Sequence, residues 1–194
     1  MGNLSTLFPA ASSSNLLEMI QYVPDGRTFQ GVSNNYTAPT TSNYQSTTTS
    51  YVDVQGSNIT YTPPGGTRYI RYELNTKICG YNGRSAISHW RLYVDGTEVQ
   101  NAYKNFSSQY YSTYGYAVFP ISLAYSFDLT AASDDITNGK FSNWTGAKEI
   151  KWQVRAYSTS YDDGRMNYNY WRDGGGASGT YTWNYPLLTV SAYS

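Results

Sequence analysis

The chain has 194 residues, a length typical of one domain or of one domain with an arm. Lysine plus arginine and aspartate plus glutamate number 13 each, so the chain lacks the positive net charge that favours non-specific binding to nucleic acid or to an anionic membrane. Charged residues make up only 13% whereas 22 residues are tyrosine, which predicts a surface that recognises by hydrogen bonds and aromatic contact. The single cysteine, Cys79, excludes a disulfide within the chain and is compatible with synthesis in the cytoplasm.

The first part of the chain shows little alternation of apolar and polar residues. We therefore predict an N-terminal arm over residues 1–45, ahead of a domain spanning residues 46–194. Asn15 is followed three residues later by Glu18, the spacing of a helix capping box, which predicts a short helical turn. Because the arm is too apolar to remain in water, we expect it to attach the protein to a partner. The residues expected to make this attachment are Leu7, Phe8, Leu16, Leu17, Met19 and Ile20.

From residue 51 onward, apolar and polar residues alternate as they do in strands with one buried face. The clearest segments, in chain order, are Ile70–Leu74, Trp90–Val94, Leu123–Leu129, Ile150–Ala156 and Leu188–Ala192. Asp95-Gly96 predicts a tight hairpin, and no long segment has the period of a helix. The sequence therefore predicts an all-β fold, an antiparallel β-sandwich of jelly-roll type.

Residues that could support catalysis or bind a metal ion are few. The one histidine, His89, falls on the polar side of its predicted strand, and no serine lies in a Gly-x-Ser-x-Gly elbow. The acidic pairs Asp134-Asp135 and Asp162-Asp163 lack the spacing of a calcium-binding loop. A pair of glycosidase carboxylates remains an alternative. We predict no enzymatic activity, no metal site and no cofactor.

Aromatic residues gather in segments rich in glycine, serine and asparagine. A rigid ring with one polar end suits a protein interface or the face of a sugar, although the same residues could also fill the core of a chain poor in leucine and isoleucine. The candidates for ligand or interface contacts are Tyr110, Tyr111, Tyr114, Tyr168, Tyr170 and Trp171.

Several motifs are shared with a known class of proteins. They are the run Gly56–Thr67, the segments Ile87–Trp90 and Val94–Val99, and later Gln153–Tyr157 and Pro186–Val190. Together they resemble a β-domain module of virion structural proteins from tailed phages that infect marine bacteria, such as cyanophages and pelagiphages.

The resemblance implies a non-enzymatic β domain displayed on a virion and made in the host cytoplasm. We expect a capsid decoration, head-fibre or knob subunit that forms a homotrimer and contacts other virion proteins. The alternative is a carbohydrate-binding or receptor-binding fibre tip that contacts a host surface glycan. Neither function requires nucleic acid or a membrane as a partner.

Overall fold

The computed structural model describes residues 15–80, 86–107, 118–158, 164–169 and 183–194. These residues form thirteen strands, whose pairings are all antiparallel, and they contain no α-helix. In chain order the strands are β1 (Leu16–Tyr22), β2 (Thr28–Gln30), β3 (Asn35–Thr37), β4 (Gln45–Ser46), β5 (Val52–Asp53), β6 (Ile59–Tyr61), β7 (Tyr69–Gly80), β8 (Ser88–Val94), β9 (Thr97–Phe106), β10 (Val118–Asp128), β11 (Lys148–Ala156), β12 (Gly164–Met166) and β13 (Leu187–Tyr193). The predicted all-β, antiparallel fold is confirmed.

The first sheet has six strands built around β7. One edge of β7 pairs with β10 from Tyr69 to Cys79, and the other edge pairs with β13 along its first half and with β12 near its end. β1 extends this sheet beyond β13, and β4 extends it beyond β12. Pro120 lies within β10, at the edge of the described sheet, where a strand can accommodate a residue without an N–H group.

The second sheet has five strands, with β11 paired to β8 on one edge and β9 beyond β8. The other edge of β11 pairs with both β5 and β6. Between these two short strands, the hydroxyl of Ser57 accepts a hydrogen bond from the Trp152 amide at 3.1 Å and donates to the Trp152 carbonyl at 3.3 Å. The Val54 amide also donates to the Trp152 carbonyl, at 2.8 Å, and the Ser57 hydroxyl takes the place of a backbone acceptor for the Trp152 amide, so β5 and β6 form one interrupted strand. β2 and β3 make a separate two-stranded sheet.

The order of the strands follows a regular scheme. With β5 and β6 counted as one, eight principal strands can be numbered along the chain. The first sheet then has the order 1-8-3-6 (β1-β13-β7-β10), and the second has the order 2-7-4-5 (β5/β6-β11-β8-β9). The chain thus passes from one sheet to the other at most connections. The exception is the β8–β9 hairpin, where Asp95 and Gly96 have φ angles of 47° and 77°, as the Asp-Gly pair predicts.

The two sheets share one core, which is consistent with a β-sandwich. Alternate residues of β7, β8 and β11 enter the same buried cluster: Ile70, Tyr72 and Leu74, then Trp90, Leu92 and Val94, then Ile150, Trp152 and Val154. The Tyr72 hydroxyl also crosses between the sheets and donates to the Ser57 carbonyl. The alternation predicted for these three strands is confirmed.

The structure corrects the prediction of an N-terminal arm and of a helical turn beginning at Asn15. β1 pairs with β13 over its whole length, and Tyr22 is buried in the core. The register shifts between Leu16 and Glu18, so the alternation that marks a strand is broken near its start. For the described residues 15–45, the arm prediction is therefore wrong.

The residues predicted to attach the protein to a partner differ in their exposure. Ile20 is buried in the core, Leu17 is half-buried, and Leu16 and Met19 are exposed along β1. Leu7 and Phe8 lie outside the described residues, and attachment through residues 1–14 stays a prediction.

Candidate functional site

The structure describes only one of the six predicted aromatic site residues. Tyr110, Tyr111, Tyr114, Tyr170 and Trp171 lie outside the described residues. Tyr168 is 4% exposed, and its ring packs edge-on against Tyr44 with the centroids 4.9 Å apart. The guanidinium carbon of Arg165 lies 5.1 Å from the centre of the Tyr168 ring. Tyr168 therefore packs within the domain and does not present its ring to a ligand.

The acidic pair Asp134-Asp135 stabilises its own loop. Asp134 accepts hydrogen bonds from the amide and the hydroxyl of Ser142, both at 2.7 Å, and these bonds hold the pKa of Asp134 below its usual value. Asp135 accepts from Asn138 at 2.7 Å and Thr137 at 2.8 Å, which lowers its pKa in the same way. Asp162-Asp163 lies outside the described residues. Within the described ranges, no group of three or more His, Cys, Asp or Glu residues could hold a metal ion.

The outward side of the second sheet carries Tyr51, Tyr103 and Tyr157, and we call this surface the tyrosine face. His89 points outward in β8, as the sequence pattern predicts, and its Nδ1 lies 2.6 Å from the Tyr103 hydroxyl. The His89 ring stacks on Tyr103 at 6.2 Å and meets Tyr157 at 6.3 Å, measured between ring centroids. Tyr157 is 61% exposed. His89 therefore orders two surface tyrosines.

Two arginines share a third tyrosine on the same face. The guanidinium carbons of Arg91 and Arg155 lie 4.3 Å and 5.4 Å from the centre of the Tyr51 ring. Arg91 also forms an ion pair with Glu98 at 3.0 Å. These contacts hold the arginine side chains flat against aromatic surface.

The charges on the tyrosine face largely neutralise one another. Lys151 contacts Asp53 at 2.9 Å and Glu149 at 3.2 Å, and the hydrogen bond from Lys151 to Asp53 raises the pKa of this lysine. Among the described residues of this face, three cations are balanced by three anions: Arg91, Lys151 and Arg155 with Asp53, Glu98 and Glu149. A neutral surface rich in tyrosine and arginine has the composition of a protein interface.

Glu18 is a buried acid that the sequence interpretation missed. It is 6% exposed on the inner side of β1. The Tyr61 hydroxyl donates to one Glu18 carboxylate oxygen at 2.8 Å, and the amide of Val32 donates to the other. A Cβ atom on Gly31 would lie 2.6 Å from the carboxylate, so only glycine leaves room for it there. The signal for this position is the phase of Glu18, which falls on the same side of the strand as Ile20.

The Glu18 carboxylate affects the ionisation of nearby tyrosines. Burial, followed by the charge of Glu18, raises the pKa of Tyr36 to about 12. Burial also raises the pKa of Tyr61, and the hydrogen bond to Glu18 adds to this effect. The charge of the carboxylate thus favours the neutral form of the two tyrosines around it.

In the described part of the chain, no helix is long and apolar enough to cross a membrane. No protein-family model matches the sequence, and no curated protein matches it either.

Proposed function

We propose that this protein is a non-enzymatic structural protein of a tailed-phage virion, exposed on the particle as a capsid decoration, head-fibre or knob subunit. The observation that carries the proposal is the strand order 1-8-3-6 and 2-7-4-5, which supports a jelly roll made of two Greek keys. Jelly rolls occur in viral capsid proteins and in lectins. Because one fold serves many functions, the choice of a virion protein depends on the motif resemblance.

The described carboxylates support a structural rather than an enzymatic role. Glu18 accepts from the buried Tyr61 hydroxyl and from the Val32 amide of the turn between β2 and β3, and Asp134 accepts from the Ser142 amide and hydroxyl of its own loop. Asp53 pairs with Lys151 on the sheet surface. Each of these acids already has donors from its own domain, which suits a carboxylate that maintains a fold.

We place the contact between copies of the chain on the tyrosine face. Burying unpaired charge is costly, whereas the ion pairs of Arg91 and Lys151 already neutralise their partners before any association. Tyr103 and Tyr157 add exposed aromatic area with polar hydroxyl groups that a second copy can contact. This arrangement suits the contact between copies that the proposed homotrimer requires.

The location on the particle is tested by labelling. Purified particles of the phage that carries this gene would be analysed by mass spectrometry and by immunogold microscopy with an antibody against the recombinant protein. We expect the protein in the particles, with gold at their surface. Its absence from particles that contain all other structural proteins would contradict the proposal.

The contact surface is tested by light scattering on the purified chain. We expect three times the mass of one chain, and Tyr157→Arg should shift the protein to monomers. Tyr69→Arg is the matched control, because Tyr69 is an exposed tyrosine of the other sheet. Trimers that persist in the Tyr157→Arg variant would show that the tyrosine face is not the interface.

A further inference from the structure

A cleft of about 480 Å³ opens on the first sheet, on the side away from the tyrosine face. It lies where β7 and β10 meet the segment that precedes β13. Its walls include Asn75 and Lys77 of β7, Ser122 of β10, and Asn184 with Tyr185 ahead of β13. This volume is in the range of small-ligand sites.

The polar groups of the cleft are held in fixed orientations. The Lys77 ammonium donates to the side-chain oxygen of Asn184 at 2.5 Å and to that of Asn169. Since the oxygen of Asn184 faces the ammonium, its NH₂ group is left to donate elsewhere. The backbone amide of Asn184 also donates to the Asn167 carbonyl at 2.9 Å, which fixes the base of this wall.

Among the described residues, no acid pairs with the positive charge of Lys77. Its two described hydrogen-bond acceptors are the neutral side-chain amides of Asn169 and Asn184. Burial lowers the pKa of Lys77, which shows that its ammonium has lost part of its hydration. An anionic group in the cleft would therefore be attracted to the Lys77 ammonium and could also accept a hydrogen bond from it.

An exposed aromatic ring also lines the cleft. Tyr185 is 46% exposed, and its ring meets the edge of Trp183 with the centroids 4.6 Å apart at 73°. This contact orients the Tyr185 ring before any ligand arrives. A pyranose ring presents C–H groups that pack against such a ring, while its hydroxyls need amide and ammonium partners like those of Asn184 and Lys77, which line the same cleft.

We propose that this cleft binds a saccharide, with its ring on Tyr185, and that Lys77 favours a sugar bearing a carboxylate over its neutral counterpart. The inference goes beyond a structural role in the virion, because attachment and assembly need no sugar. It also differs from the ligand contacts predicted from the sequence, none of which involves Tyr185.

The full chain would be applied to an array of sialylated and uronate-containing oligosaccharides printed beside their neutral parents. The best matched pair would then be measured by titration calorimetry. We expect the acidic member to bind about tenfold tighter at low salt, with a smaller advantage in about 0.5 M NaCl, where charge attraction is screened. Lys77→Gln should remove the preference for the acidic sugar.

The decisive variant is Tyr185→Ala, which should weaken binding of both sugars by about tenfold or more. Tyr69→Ala is the matched control, because Tyr69 is 42% exposed on the same sheet and lies far from the cleft in the register. Binding of no glycan, equal binding of acidic and neutral partners, or unchanged binding by Tyr185→Ala would each overturn the proposal. The particle-labelling experiment gives its result independently of all three.

Discussion

Replacing Glu18 with alanine should destabilise the protein far more than replacing an acid on its surface. Glu18 joins three parts of the fold, because β1 carries the carboxylate, β6 carries Tyr61, and Val32 lies in the turn between β2 and β3. The Glu18→Ala variant leaves the buried Tyr61 hydroxyl and the part-buried Val32 amide without their acceptor.

The expected cost follows from these two bonds. A hydrogen bond to a charged group contributes about 1.5–3 kcal/mol, so the loss of two such bonds gives the upper limit of the decrease in unfolding free energy. The variant also removes the cost of burying a carboxylate, which offsets part of the loss. We therefore expect the free energy of unfolding to fall by about 2–4 kcal/mol. Glu18→Gln should cost about 1–2 kcal/mol, because its amide can accept from Val32 and donate to Tyr61.

Urea denaturation followed by tryptophan fluorescence measures these differences through the midpoint and slope of the transition. Glu73→Ala is the control, because Glu73 only pairs with Arg71 at the sheet surface, at 2.7 Å, and should cost less than about 1 kcal/mol. A double-mutant cycle of Glu18→Ala with Tyr61→Phe should give a coupling energy above about 1 kcal/mol. If Glu18→Ala costs no more than Glu73→Ala, the reasoning about the buried carboxylate is wrong.

Three further predictions concern the core, the N-terminal segment and high pH. Trp90→Ala and Trp152→Ala, each at a fully buried position, should cost about 3–5 kcal/mol in urea denaturation, and a cost below about 1 kcal/mol would contradict their place in the core. Deleting residues 1–14 should leave the circular dichroism spectrum of a folded β protein. Deleting residues 1–22 also removes β1 and should cause unfolding or aggregation. Equal effects of the two deletions would show that β1 adds no stability. The pKa of Tyr36 is raised from 10.0 to about 12, so its contribution to stability is complete below pH 10 and is lost as the pH rises toward 12. Tyr36→Phe should therefore move the alkaline unfolding midpoint, followed by circular dichroism and tyrosinate absorbance, to higher pH; a downward shift would contradict this sign.

The sequence predicts strands best where one face of the strand is buried and the other is exposed to solvent. β8 and β11 meet this condition, because their inner residues enter the core while their outer residues form the tyrosine face. β1 does not meet it, since a register shift and an inward-pointing glutamate disrupt its pattern. β13 lies between β1 and β7, and Thr189 and Ser191 on its outer side are also buried. Such central strands are defined by neighbours distant in the sequence.

The candidate sites show the same limit. The saccharide cleft combines residues from β7, β10 and the segment before β13, so no local motif marks it. Sequence composition favoured tyrosines in segments rich in glycine and serine, whereas Tyr185 stands beside Asn184 and a proline. The paired charges of the tyrosine face could not be predicted either, because Asp53 and Lys151 meet only when β5 joins β11.

The pairing of β1 with β13 has a consequence for how the protein is made. β1 is translated first among the strands and β13 last, yet β13 must insert between β1 and β7. Until then β7 lacks its neighbour along the first half of one edge, and β1 has no partner among the described strands. Closing so long a segment is entropically costly and slow, and open strand edges invite aggregation in the meantime. A nascent chain halted before β13 should therefore depend on chaperones, and the first sheet can close only after the last strand has emerged from the ribosome.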